Sequence, residues 1–175
     1  MSKKSNNKID IKKLAIFTVV AVALVVVVFG LKNTNKSDNS DGSVTQDTAK
    51  VATVKDSDIV IQVKEVTDKP AFYAANVNGT DMEVIAVKAS DGTIRTAFNT
   101  CQVCYSSGKG YYKVEGDQLV CQNCGNRFGM DDVEVTKGGC NPVPITEEYK
   151  TVNDETITVS KDVLSQAATI FQNWK

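Results

Sequence analysis

The spacing of the cysteines constrains this chain more than any other feature. Four of its five cysteines lie in two CxxC pairs, Cys101-x₂-Cys104 and Cys121-x₂-Cys124. With sixteen residues between the pairs, this spacing is typical of a metal site held by four thiolates. Two thiolates on one tight turn can point at the same ion, and a second turn completes a tetrahedral set. The glycines between the pairs predict a hairpin that brings the two turns together.

Three other interpretations of the cysteines stay open on the residues alone. Disulfides are the first, although a bridge within a CxxC pair closes a tiny loop and restricts the unfolded chain little. A thioredoxin-like redox pair is the second, but it needs a helix after the pair, and no helical pattern follows Cys104 or Cys124. Four buried thiols without a ligand are the third. If the site does hold a metal, the spacing alone favours zinc, although iron and a two-iron cluster accept the same four thiolates.

The fifth cysteine, Cys140, lies in the segment GGCNPVP, residues 138–144. Two glycines permit a close approach of the backbone, and the prolines stiffen the chain after Cys140. A segment of this kind can lie over a metal site as a lid. Cys140 is then a fifth metal ligand, a resolving thiol or a small buried residue, and the sequence does not separate these three roles.

The chain contains no histidine. This absence excludes a Ser-His-Asp triad, a histidine-ligated zinc enzyme, a haem with a histidine ligand and a Rieske centre. Hydrolytic catalysis is therefore not expected. The net charge is −1, and residues 1–13 carry five lysines against one aspartate. The rest of the chain is acidic, which argues against a nucleic-acid partner because phosphate binding needs a basic face.

An apolar run, Leu14–Leu31, follows the basic N-terminal residues and contains no charged side chain. As a helix it spans about 27 Å, close to the hydrocarbon core of about 30 Å. A cleaved signal peptide would have a shorter apolar run and small residues at a cleavage site. We therefore predict an uncleaved signal-anchor in the lipid bilayer of the cell membrane. The positive-inside rule predicts a cytoplasmic tail at 1–13 and an extracytoplasmic C-terminal body.

The remaining chain divides into a polar linker, 32–54, and a folded domain, 55–175. Alternating or β-branched patterns predict strands at 59–63, 71–77, 82–88, 93–98, 111–114, 118–120 and 156–159. Asn78-Gly79 predicts a tight hairpin turn. Ser160 is a predicted helix N-cap, and an apolar face follows it at helical spacing as far as Trp174. That face either packs onto the sheet or binds a partner.

Several motifs occur in a particular order along the domain. They are the segments DGTI (91–94), FNTCQVCY (98–105), GY (110–111), LVCQNCGNRF (119–128) and GGCNPVPI (138–145). In this order they resemble the FtrD-like family of membrane iron–sulfur proteins, over residues 58–171 and including a final strand and helix. Longer members of that family have many membrane spans. This sequence predicts one span, so the chain is not expected to be a permease itself.

The resemblance implies that the cysteines of both pairs are cofactor ligands and that Cys140 is a characteristic position without an assigned role. The presumed ligands are Cys101, Cys104, Cys121 and Cys124. The implied cofactor is an iron–sulfur cluster or iron, with zinc as the alternative. The predicted fold is a mainly β (α+β) extracytoplasmic domain with two CxxC knuckles like those of rubredoxin or zinc ribbons, a C-terminal helix and one N-terminal transmembrane helix.

The predicted function is that of an electron-transfer or iron-uptake accessory. It would work beside a membrane iron-transport system or redox partner, and substrate turnover is not required for that role. The alternatives are a zinc-stapled structural or binding module and an extracytoplasmic thiol–disulfide oxidoreductase.

Overall fold

The computed structural model describes residues 52–175. The predicted cytoplasmic tail at 1–13, the predicted membrane span at 14–31 and residues 32–51 of the predicted linker lie outside this part of the chain. Within residues 52–175, no helix has the length and apolar character needed to cross a membrane.

The described domain is mainly β, with one short α-helix near its C-terminal end. The strands are β1 (Val54–Lys55), β2 (Ile59–Gln62), β3 (Ala71–Val77), β4 (Thr80–Lys88), β5 (Ile94–Cys101), β6 (Tyr112–Glu115), β7 (Gln118–Cys121), β8 (Arg127–Gly129), β9 (Pro142–Pro144), β10 (Thr151–Val152) and β11 (Thr156–Val159). The helix α1 is Lys161–Ala167. Turns of 3₁₀-helix are found at Val63–Glu65, Met130–Asp132, Glu147–Tyr149 and Ala168–Phe171.

A five-stranded sheet in the order β1-β3-β4-β5-β9 forms the centre of the domain. Strand β1 runs parallel to β3, and the other neighbours are antiparallel. The β3–β4 hairpin turns at Asn78 and Gly79, whose φ angles are 50° and 82°. Two successive positive φ values are the requirement of a type I′ turn, which Asn-Gly meets at low cost. The predicted hairpin is therefore confirmed.

One face of this sheet packs against the C-terminal helix and a second sheet, ordered β10-β11-β2. These elements enclose the larger apolar core. It includes Val84, Phe98, Ile61, Leu164 and Trp174. The predicted helical face thus packs onto the sheet. The Ser160 side chain accepts a hydrogen bond from the backbone N–H of residue 163, as an N-cap does.

The opposite face of the central sheet packs against a third sheet, ordered β6-β7-β8. Ile85, Val87 and Ala97 of the central sheet join Leu119 and Phe128 of the small sheet in a second apolar core. Adjacent residues of β4 and β5 face opposite cores because side chains alternate along a strand. The second core also contains three of the cysteines, and it positions the candidate metal centre.

Several strand and helix boundaries differ from the predictions, and in two places a 3₁₀ turn replaces the expected continuation of the element. The first strand was predicted to reach Val63, but β2 ends at Gln62 and a 3₁₀ turn follows. The α-helix was predicted to carry its apolar face to Trp174, but it ends at Ala167 and continues as a 3₁₀ turn. The tighter turn still buries Phe171 and Trp174, which is why the apolar spacing looked continuous in the sequence.

Candidate metal centre

The first CxxC pair begins at the end of strand β5, next to an irregularity in the sheet. The register between β5 and β9 shifts between Phe98 and Cys101, and such a bulge re-aims the side chains that follow it. The chain then turns, so that the backbone N–H of Cys104 donates to the Cys101 sulfur at 3.3 Å. The Cys101 N–H donates to the Gly110 carbonyl at 2.7 Å.

Gly110 is needed at that position because the backbone of the turn passes very close to it. A Cβ atom there would lie 2.4 Å from the Cys104 carbonyl oxygen. This is closer than any real contact, so a larger residue would displace the first cysteine turn.

The second pair begins at the end of strand β7. Cys121 is opposite Tyr112 in the β6–β7 hairpin. The hairpin predicted between the two cysteine pairs is therefore present. The chain then turns, and the N–H of Gly125 donates to the Cys121 carbonyl at 2.9 Å. Gly125 has a φ of +73°, the left-handed conformation that glycine adopts without strain.

The segment that carries Cys140 lies over both turns, and side chains from each turn hold it. The Cys140 carbonyl accepts hydrogen bonds from the Tyr112 hydroxyl at 2.8 Å and the Asn126 amide at 3.2 Å. Gln102, inside the first pair, accepts from the Gly138 N–H at 3.2 Å. We call residues 138–142 the lid.

The five thiols come together in two groups of three that share one sulfur. The sulfurs of Cys101, Cys104 and Cys140 lie within 4.8 Å of one another, and so do those of Cys104, Cys121 and Cys124. Each group could hold a metal ion. The Cys104 and Cys140 sulfurs are 3.8 Å apart. This equals the edge of a thiolate tetrahedron, about 3.8 Å when the metal–sulfur distance is about 2.3 Å.

Burial divides the thiols into an inner and an outer set. Cys101, Cys104 and Cys121 are buried, whereas Cys124 is exposed and Cys140 is intermediate. The two outer thiols, with Gly125 and Asn126, line an open hollow of about 450 Å³. We call this hollow the mouth of the cluster.

The comparison with protein families adds an independent observation. The model of the family "Membrane iron-sulfur containing protein FtrD-like" matches residues 66–171, which is more than half of the chain. The chain belongs to the FtrD-like family. No curated protein and no solved structure matches it. The family description supports a membrane setting and an iron–sulfur centre for this FtrD-like chain, without identifying a partner.

The electrostatics of the FtrD-like cluster differ between its sulfurs. Burial acts to raise the pKa of Cys101, but hydrogen bonding to its sulfur, first from the Cys104 N–H at 3.3 Å, brings the pKa below its usual value. Burial raises the pKa of Cys121 to about 12 despite two N–H donors. Cys101 is therefore the inner thiol most easily converted to the thiolate that a metal requires.

The outer thiols also differ from each other. Burial acts to raise the pKa of Cys124, but the Asn126 N–H and neighbouring thiols donate to the sulfur and lower it overall. The neighbouring Cys124 sulfur and then burial raise the pKa of Cys140. Of the two thiols at the mouth, Cys124 therefore takes the thiolate form more readily.

The donor set suits a soft or borderline metal centre. The cluster offers five thiols and no imidazole, and thiolates select zinc, iron and iron–sulfur clusters over hard cations. Backbone N–H groups point at the sulfurs of both turns, and such bonds offset thiolate charge and tune a bound centre. The residues therefore fit the group that the FtrD-like family name implies, without distinguishing iron from zinc.

Three polar residues of the site were missed in the sequence. Tyr112, Asn99 and Asn126 hold the lid and the hairpin. Asn99 and Asn126 lie within the segments FNTCQVCY and LVCQNCGNRF, in which only the cysteines were assigned a role. Asn99 is 1% exposed and accepts the Tyr112 N–H at 2.8 Å, in place of a strand partner. The one available signal was Asn126 directly after the Cys-Gly dipeptide at 124–125, where a turn-closing side chain is common.

Replacing Tyr112 by phenylalanine should loosen the lid without disturbing the core. The ring keeps its edge-to-face packing on Phe128, with centroids 6.4 Å apart, but the hydrogen bond to the Cys140 carbonyl is lost. We expect the free energy of unfolding to fall by about 1 kcal/mol, measured by urea titration. Alkylation of Cys140 should be faster. Tyr111→Phe is the matched control, and an equal effect there would contradict a role for the Tyr112 hydroxyl.

Proposed function

We propose that this chain is a membrane-anchored, extracytoplasmic metal-binding protein. In this proposal Cys101, Cys104, Cys121 and Cys124 hold an iron–sulfur centre or iron, and the protein serves as an electron-transfer or iron-uptake accessory. The observation that carries it is the meeting of both CxxC pairs in two sulfur groups compact enough to hold a metal. The FtrD-like family description supports iron–sulfur as the type of centre.

The residues around the cysteines determine the chemical environment of such a centre. An iron–sulfur centre supplies the capacity to accept and release single electrons. The inner thiols bind within an apolar core formed with Leu119 and Phe128, which keeps water from one side. Backbone N–H groups of the residues that follow Cys101 and Cys121 stabilise negative charge on these two sulfurs. Exposed Cys124 leaves the other side open to a partner at the membrane.

A zinc-stapled structural or binding module is the second candidate. The 3.8 Å separation of the Cys104 and Cys140 sulfurs is compatible with it, because tetrahedral zinc and tetrahedral iron place their thiolates at the same spacing. A thiol–disulfide oxidoreductase has less support, since Cys101 and Cys121 are each the last residue of a strand and lead into a turn rather than a helix. A helix N-terminus is what lowers the pKa of the attacking thiol in that class.

Anaerobic purification of the full chain from its membrane, followed by metal and acid-labile sulfide analysis and visible absorption, tests the proposal. Iron with equimolar sulfide and a reversible bleaching on reduction is the expected result. A colourless protein with one zinc per chain would replace it with the zinc module. A metal-free protein whose thiols cycle with a dithiol reagent would favour the oxidoreductase.

A further inference from the structure

The cluster contains more thiols than one centre can use. A tetrahedral ion takes four ligands, and so does a two-iron cluster, whereas five thiols meet here. Each group of three combines two buried sulfurs with one that reaches the surface, Cys140 in one group and Cys124 in the other. The surplus thiol is therefore at the mouth and not in the core.

Cys140 is held at the mouth by a built support. Its carbonyl is fixed by Tyr112 and Asn126, and Tyr112 itself is 1% exposed. Gly138 and Gly139 have φ angles of 84° and 64°, so the chain reaches Cys140 through two successive left-handed residues that glycine adopts without strain. This arrangement sets the Cys140 sulfur 3.8 Å from that of Cys104.

Cys124 approaches the same centre from the other side of the mouth. It ends the turn that Cys121 begins, and it shares Cys104 as a neighbour with Cys140. Together with Gly125 and Asn126, these two thiols line the whole of the hollow. The two groups overlap at Cys104, so each has one thiol on its solvent side beside that shared sulfur, Cys124 from the second cysteine turn and Cys140 from the lid.

We propose that Cys124 and Cys140 are alternative ligands for one coordination position, so that either outer thiol can complete the set of four thiolates with the inner cysteines. This inference rests on the proposed metal-binding function and adds to it. In an exchange between the two, the Cys140 thiol would give up its proton on binding the metal, and Cys124 would take up a proton on leaving it. The number of bound thiolates, the charge and the oxidation state of the metal are unchanged.

The direct test uses the full chain in detergent, reduced and loaded anaerobically with one equivalent of cobalt(II), whose thiolate absorption reports the number of bound sulfurs. Brief alkylation with iodoacetamide and peptide mass spectrometry then locates the unbound thiol. We expect one label per chain, divided between positions 124 and 140. A label confined to one of these positions overturns the proposal, as does a label on an inner cysteine.

Variants provide a second, equilibrium test. Cys124→Ala and Cys140→Ala should each keep the four-thiolate absorption, and the double variant should lose it. Loss of that absorption in one single variant, with no change in the other, identifies a fixed ligand and a bystander and overturns the proposal. Cys101→Ala serves as the reference for losing an inner ligand. If the unaltered chain binds no cobalt, the proposed metal-binding function itself has failed, which is a separate result.

Discussion

Cys104→Ser is expected to remove the metal from the centre, because Cys104 is the one sulfur that both three-thiol groups share. Structural zinc sites of this type bind with about 10–16 kcal/mol of apparent free energy. If four thiolates contribute similarly, losing one costs about 3 kcal/mol, or roughly 100-fold in affinity. The loss should be larger than for Cys124 or Cys140, each of which belongs to a single group.

The measurement is metal content after dialysis against a chelator, with wild type and variant treated in parallel. Val103→Ala is the matched control, because Val103 lies in the same turn but is 59% exposed. That control should retain metal like wild type. A Cys104→Ser protein that keeps its metal and its spectrum would contradict the assignment of Cys104 as the shared ligand.

Lys150→Met should be strongly destabilising, although Lys150 lies outside the metal centre. The Lys150 ammonium is 2.7 Å from the Glu134 carboxylate and 3.0 Å from the Thr96 hydroxyl. The two charged side chains are only 4% and 16% exposed. Removing one partner leaves an uncompensated buried charge, which costs about 3–5 kcal/mol. Because Glu134 precedes the lid, the lid should also become more accessible to alkylation.

Two comparisons separate this mechanism from a general loss of packing. The double variant Lys150→Met/Glu134→Gln should recover part of the stability, because it no longer contains an unpaired Glu134 carboxylate. Lys161→Met is the matched surface control, since its pair with Asp56 is 3.9 Å apart and both side chains are about two-fifths exposed. That change should stay within about 1 kcal/mol of wild type. A double variant less stable than Lys150→Met would contradict the explanation. The free energy of unfolding of each variant is measured by urea titration.

Local signals in the sequence were enough for the parts of the fold that depend on neighbouring residues. The strand at Ala71–Val77 has the predicted bounds, because Asn78-Gly79 fixes the turn and the alternation fixes the register. The Ser160 N-cap is confirmed for the same reason, since a cap is a short-range hydrogen bond. Both CxxC pairs and the hairpin between them also depend on residues close together in the chain.

Features made by distant residues could not be predicted. Strand β9 contains two prolines, which lower its strand propensity, and it forms because it adds to the edge of β5. The Glu134–Lys150 pair joins side chains that show no pattern in the sequence. The sequence allowed a lid over the site, but its support by Tyr112 and Asn126 depends on the completed hairpin. The membrane span, its orientation and the linker stay predictions.

The presence of two separate apolar cores has a consequence for how the domain would respond to loss of the metal. The larger core, with Ile61 and Leu164, contains none of the cysteines, whereas the smaller one is built partly from their sulfurs. Regions with fewer apolar contacts open first and expose their backbone to proteases. Loss of the metal would therefore weaken the small sheet first and let it open locally, while the larger core kept the rest of the domain folded.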